Sequence, residues 1–206
     1  MIHYFVSMDG LEEIESALGM VKDKSKYVLR AAINNAAKEV EKRMVTEAKN
    51  RYVIKGGKSA IKEANDIKKA TVSNSAAIIE ARGAPLDLME YKVSPRTYFP
   101  GSKGAPSVIK AKTLRSGELK EIALQPNASK DKYKGFVVKF SSGHISFAQR
   151  VPGTRMRRRP EKEAIRELYA ISKPKAEEVV FENSIDSDVD TILMKHIQEQ
   201  MQKFIK

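Results

Sequence analysis

The chain has 206 residues, 41% hydrophobic and 31% charged, enough for a domain with a real core and outside the disordered range. It contains no cysteine, which excludes disulfides, thiolate metal sites and a cysteine nucleophile, and no apolar run approaches the length of a membrane span. The net charge of +12 is concentrated: residues 96–159 hold 15 basic and 3 acidic side chains, so this third alone accounts for the excess and predicts a polyanionic or acidic partner.

In chain order, MIHYFV at the start predicts a short strand. The opening fifteen residues lack a basic leader and an apolar core, so no signal peptide is expected and the cytoplasm is the simplest site of synthesis. Asp9 is placed to cap a helical segment over 11–21, with Glu12 and Glu13 in its first turn. The longest element follows. Leu29, Ile33, Ala36, Val40, Met44, Ala48 and Tyr52 recur at spacings of three and four, one face of an amphipathic helix. Thirty such residues reach about 45 Å, so the helix must lie across a sheet supplied later in the chain or against a neighbour. Ala31, Ala32, Ala36 and Ala37 permit close approach of another backbone, and Ala32 and Ala36 are candidate contact residues.

After Tyr52, Gly56-Gly57 stops the helix, and 59–66 reads as one or two helical turns. Strands are predicted over 67–73, 76–82 and 86–94, the last with imperfect alternation. Residues 95–106 are loop, with three prolines and two glycines. Residues 107–113 and 118–124 predict one hairpin. A polar loop over 125–134 leads to a clearer hairpin, 135–140 with 144–150. Next comes a basic turn around Arg155, Arg157, Arg158 and Arg159, then a short helix starting at Pro160 or Glu161. Residues 171–174 read as a break, and 175–182 and 186–206 as C-terminal helices. The predicted architecture is α+β: a long N-terminal helix packed on a mainly antiparallel sheet, with C-terminal helices. It forms one domain over 1–206, with a mainly helical part (1–66), a β-sheet part (67–150), and a basic turn with C-terminal helices (151–206).

No catalytic constellation is recognisable. Gly57-Lys58-Ser59 resembles the end of a phosphate loop, but Tyr52 stands where that loop needs its first glycine. Asp186, Asp188 and Asp190 match the first positions of a calcium loop, yet Thr191 and Ile197 occupy the required Gly and Glu positions. Helix-dipole stabilisation accounts for them better. His3, His144 and His196 share no ligand spacing, so no metal, cofactor or catalytic residue is expected. The arginines at 155, 157, 158 and 159 are the best interaction candidates, because guanidinium pairs with phosphate or carboxylate. Aromatics in the basic third, such as Tyr98, Phe136 and Phe147, lie mostly in predicted strands, where core packing is their default role. This basic third leaves open a nucleic-acid-binding alternative using residues 96–159.

One ordered set of segments resembles a known family. The pieces are Ala32-Ile33-Asn34 with Ala36-Ala37, then Ile67-Lys68-Lys69, then Pro85-Leu86 with Val93-Ser94-Pro95-Arg96. Gln149-Arg150 follows, and Ile165-Arg166-Glu167-Leu168-Tyr169 runs into Ser172 and Pro174. Their order and spacing, from residue 11 to about residue 180, resemble the minor tail protein Z family of long-tailed bacteriophages and prophages. The basic third here is larger than that pattern accounts for. The resemblance implies a virion structural protein of the tail, assembled in the host cytoplasm and acting in tail completion and head–tail joining. It further implies a homo-oligomeric ring of hexameric symmetry, contacts with other tail or connector proteins, transient contact with phage DNA, and no enzymatic activity or membrane partner.

Overall fold

The computed structural model describes residues 1–7, 16, 24–106, 108–122 and 135–205. The predicted cap at Asp9, almost all of the helical segment over 11–21 and the polar loop over 125–134 lie outside the described residues. The fold is α+β, with a long N-terminal helix and C-terminal helices, and every strand pair among the described residues is antiparallel. Where the sequence reads as one domain, the chain groups into two compact units. The first comprises Met1–Lys49, Lys58–Ala84 and Lys173–Lys206; the second comprises Asn50–Gly57 and Pro85–Ser172. The strands among the described residues form four small sheets.

In the first unit, strands β1 (Ile2–Ser7), β2 (Asn65–Lys68) and β3 (Ala76–Ala81) form a sheet of order β1-β3-β2. Alternation along β1 and β3 turns Tyr4, Val6, Ala77, Ile79 and Ala81 into the core. Helix α1 (Ser25–Arg51) supplies the other wall. The stripe read from the sequence is buried in full, from Leu29 to Ala48, and a second seam of Val28, Ala32, Ala37 and Val45 is buried beside it. The helix is therefore covered on two sides: by the sheet, and by Ile192, Leu193 and Ile197 of the C-terminal helix α4 (Val189–Ile205). Helices α2 (Gly57–Lys62) and α3 (Lys173–Ser184) complete the unit. Asn34 fastens α1 to the chain after β2 by imitating a peptide group: its Oδ1 accepts from Ala70 N (2.8 Å) and its Nδ2 donates to Ala70 O (3.1 Å).

The second unit contains the remaining strands. The stretch predicted as one strand over 86–94 is divided into β4 (Leu86–Asp87), a 3-10 turn (Leu88–Glu90) and β5 (Lys92–Ser94). Asp87 causes the interruption, because its Oδ1 accepts from Met89 N (2.8 Å) and caps the turn. β5 pairs with β6 (Lys110–Lys112), which pairs with β7 (Lys120–Glu121), the first predicted hairpin in shortened form. β8 (Gly135–Lys139), β9 (Ile145–Met156) and β10 (Arg159–Glu167) form a sheet with β9 central, and β11 (Tyr169–Ala170) pairs with β4. Leu88, Val93, Ile109 and Phe147 make the core. Tyr91 is also buried and donates its hydroxyl proton to Ile171 O at 2.6 Å, which satisfies the polar end of the ring.

Residues 159–167 correct the sequence reading. The short helix expected from Pro160 or Glu161 is strand β10, antiparallel to β9. The helix preference of Glu161, Lys162 and Glu163 is outweighed by the ladder that β9 offers to Arg159, Glu163, Ile165, Arg166 and Glu167, since strand preference depends on the partner more than on intrinsic propensity. Pro160 sits at the second position of this edge strand, where a missing N–H is tolerated.

Candidate functional site

The four arginines singled out in the sequence stand at one end of a two-stranded ribbon. Among the described residues β8 pairs with β9 from Ile145 to Gln149, and from Arg150 onward β9 pairs with β10. Arg157-Arg158 form the turn between Met156 and Arg159, and Arg155, Arg157, Arg158 and Arg159 are all exposed. Among the described residues none of the four pairs with a carboxylate. The register shifts between Arg159 and Glu163 and again between Glu163 and Ile165, so the ribbon is bulged on both strands. Gly153 takes a φ of 77°, a left-handed value that suits glycine within that irregular stretch. Arg150 secures the base: its Nη1 donates to Glu163 O (3.0 Å), and its guanidinium lies 5.3 Å from the Phe136 ring centre. From residue 150 to residue 170 no side chain is buried.

Ala32 and Ala36, the other candidate contact residues, are placed differently. Both are fully buried in the core of their own unit, between sheet and C-terminal helix. The small-residue surface is therefore an internal packing seam of this chain.

A second cluster brings together Asp87 of β4, His144 just before β9, and Glu167 at the end of β10. His144 Nε2 lies 3.1 Å from Asp87 Oδ2 and 3.4 Å from Glu167 Oε2. One ligand-type atom from each residue lies within 4.8 Å of the other two. The turn 140–144 sets His144: Gly143, at a φ of 86°, donates to Phe140 O (2.9 Å), and Phe140 N donates to His144 O (2.8 Å). The Phe140 ring stacks on the imidazole at 5.7 Å. Tyr169 stands opposite Asp87 in the β11–β4 pair, and the nearby charge of Glu167, with burial, raises the phenol's pKa. The sequence gives no signal for this group. Its members are separated by 57 and 23 positions, and only the sheet edges bring them together.

The other sequence motifs stay apart. Lys58 faces a surface groove of about 580 Å³ with Lys38, Lys42 and Lys62, beside buried Glu41 and Val45. Burial raises the Glu41 pKa and Lys62 partly offsets the effect. Asp186 and Asp188 form a 3-10 turn before α4 and Asp190 lies in its first turn, with Asp188 paired to Arg43 at 3.2 Å. His196 is held between Glu39 and Glu199, both at 3.0 Å, a structural position on α4. No helix among the described residues is long and apolar enough to cross a membrane. Compared with protein-family models, curated proteins and solved structures, the chain matches none.

Proposed function

We propose that this chain is a minor tail protein of a long-tailed bacteriophage or prophage, acting in tail completion and head–tail joining as a ring of identical subunits. The phage assignment rests on the ordered resemblance of its segments. The observation that carries the assembly reading is the β9–β10 ribbon. A two-stranded ribbon is marginal alone in water, and among the described residues this one has two strands and buries no side chain over residues 150–170. A neighbouring copy supplies the missing cover. Head-to-tail contacts of this kind generate a closed ring when the rotation between copies closes.

Charge favours a specific docking surface. Residues 176–194 contain six acidic residues and no basic one, and Glu182, Asp186 and Asp190 are exposed. The arginine tip of one copy docks on this acidic run of the next, where guanidinium–carboxylate pairs give direction and register. The work is done by assembly rather than catalysis, in the virion tail, with connector proteins as further partners.

Light scattering and negative-stain imaging of the purified chain test the reading. A closed ring is expected, dissolved by changing Arg155, Arg157, Arg158 and Arg159 to Ala without lowering the melting temperature. A strictly monomeric protein at assembly concentrations overturns it. The unpaired arginine tip also suits a phosphate backbone, and the nucleic-acid alternative has its own signature: duplex binding that falls steeply with salt and disappears in the same fourfold variant.

A further inference from the structure

We infer that Asp87, His144 and Glu167 bind a divalent transition-metal ion such as Zn²⁺, and that this site is separate from the ring contact. Three observations converge. The first is spacing. Ligands held at about 2.0–2.1 Å around a tetrahedral Zn²⁺ stand about 3.3 Å from one another, and His144 Nε2 lies 3.1 and 3.4 Å from the two carboxylate oxygens.

The second is an unsatisfied atom. Asp87 Oδ2 is buried and accepts no hydrogen bond, although Nε2 approaches it closely. A plain imidazolium–carboxylate pair would direct its N–H onto that oxygen. A cation shared by both atoms gives the short approach a purpose and removes the cost of a buried acceptor left unmade.

The third is the surrounding support. Metal-binding carboxylates and imidazoles are normally oriented by outer partners. Here Met89 N holds Asp87 through Oδ1, and the Phe140 ring stacks on His144 and fixes its plane. The imidazole favours zinc, copper, iron or nickel over calcium and magnesium, while the two carboxylates also suit manganese. His144 is half exposed, which leaves an entry path and room for water as a further ligand. The bound ion ties the start of β9 to β4 and to the β10–β11 junction.

The test is calorimetric titration of ZnCl₂ into the chelator-treated full chain. Saturable binding of one ion per chain is expected, with a rise in melting temperature as the ion accumulates. His144→Ala and Asp87→Asn should each weaken binding by at least about tenfold, the loss that even outer-shell changes produce. His196→Ala, on the first unit, should leave it unchanged. No saturable binding by the unaltered chain, or equal affinity in His144→Ala, overturns the inference. Neither result bears on whether the protein forms rings.

Discussion

Asn65 Nδ2 donates to Glu177 Oε1 over 2.7 Å inside the helical unit, and that bond is all the relief this carboxyl receives from a neighbour. Glu177 is fully buried, and its Oε2 has no partner; Asn65 Oδ1 and the Tyr4 hydroxyl are likewise buried and unsatisfied. Burial raises the Glu177 pKa to about 7, with Glu41 adding to the effect and the Asn65 bond opposing it. The same surroundings raise the Tyr4 phenol, by burial first and then by the charges of Glu177, Glu178 and Glu182.

The sign of the consequence follows from linkage. Unfolded, the Glu177 carboxyl ionises near its ordinary value; folded, it keeps its proton to about pH 7. The folded state binds more protons over that window, so stability falls as pH rises from about 4.5 to 7 and is level above it. The loss is up to roughly 3 kcal/mol. Glu177→Gln keeps the acceptor for Asn65 and cannot ionise. Its melting temperature at pH 8 should exceed that of the unaltered chain, and the difference should vanish near pH 4. Equal stability at both pH values would refute this.

Glu80 predicts the opposite slope in the same unit. It stands on the sheet face away from α1, opposite His3 in register, and carries ion pairs from Lys68 and Arg82. The hydrogen bond from Lys68 lowers its pKa first, burial opposes, and Arg82 lowers it further. Its contribution is present above the ordinary carboxylate range and is lost as pH falls through the lowered folded value. Glu80→Gln should therefore destabilise the protein at pH 7 and lose that effect once the pH falls below the lowered folded value. Urea unfolding at the two pH values reads the difference.

The sequence shows the long helix plainly because one face repeats at 3.6 residues with little else competing, and each of Leu29, Ile33, Ala36, Val40, Met44 and Ala48 is buried where the spacing puts it. The hairpin 135–150 is equally plain, because Ser141-Ser142-Gly143 turns between two apolar strands. Strand β10 is hidden, since Glu161, Lys162 and Glu163 carry no alternation; pairing of Arg159 and Glu163 with β9 draws the segment into the sheet, with Glu161 and Lys162 in the bulge between them. The two units are hidden for a similar reason. Residues from both ends of the chain join in one of them, and the breaks at Gly56-Gly57 and 171–174 read locally as loops, with nothing in composition to show that the chain crosses between units there. The arginines of the ribbon were found by charge alone, whereas Asp87, His144 and Glu167 required the sheet edges to be known.

Ala32 tests whether the small-residue seam is internal. Its side chain has no exposed surface and faces the core shared by sheet and C-terminal helix. Ala32→Glu would bury an unpaired carboxylate and overfill that seam, a cost above about 4 kcal/mol. The variant should be unfolded or insoluble, while Glu47→Ala on the exposed face of the same helix stays within about 0.5 kcal/mol. A folded Ala32→Glu protein that merely fails to oligomerise would place the seam at a subunit contact instead.

Two arginines on one ribbon separate support from docking. Arg150 packs its guanidinium over Phe136 and donates to the Glu163 carbonyl across the ladder, so it acts within the chain. Arg150→Ala removes a charge-assisted hydrogen bond and a cation–π contact together, a loss of about 1–3 kcal/mol. Arg157 lies in the exposed turn, and Arg157→Ala should change stability by less than about 0.5 kcal/mol. Thermal unfolding of each variant, followed by light scattering under conditions that support assembly, reads both effects. The expected pattern is crossed: Arg150→Ala melts lower, whereas Arg157→Ala melts as the unaltered chain does and assembles less well. If Arg157→Ala assembles normally, the turn contributes nothing to the subunit contact. The unburied ribbon would then have to dock through its flanks, where Val151, Met156 and Ile165 are half-buried.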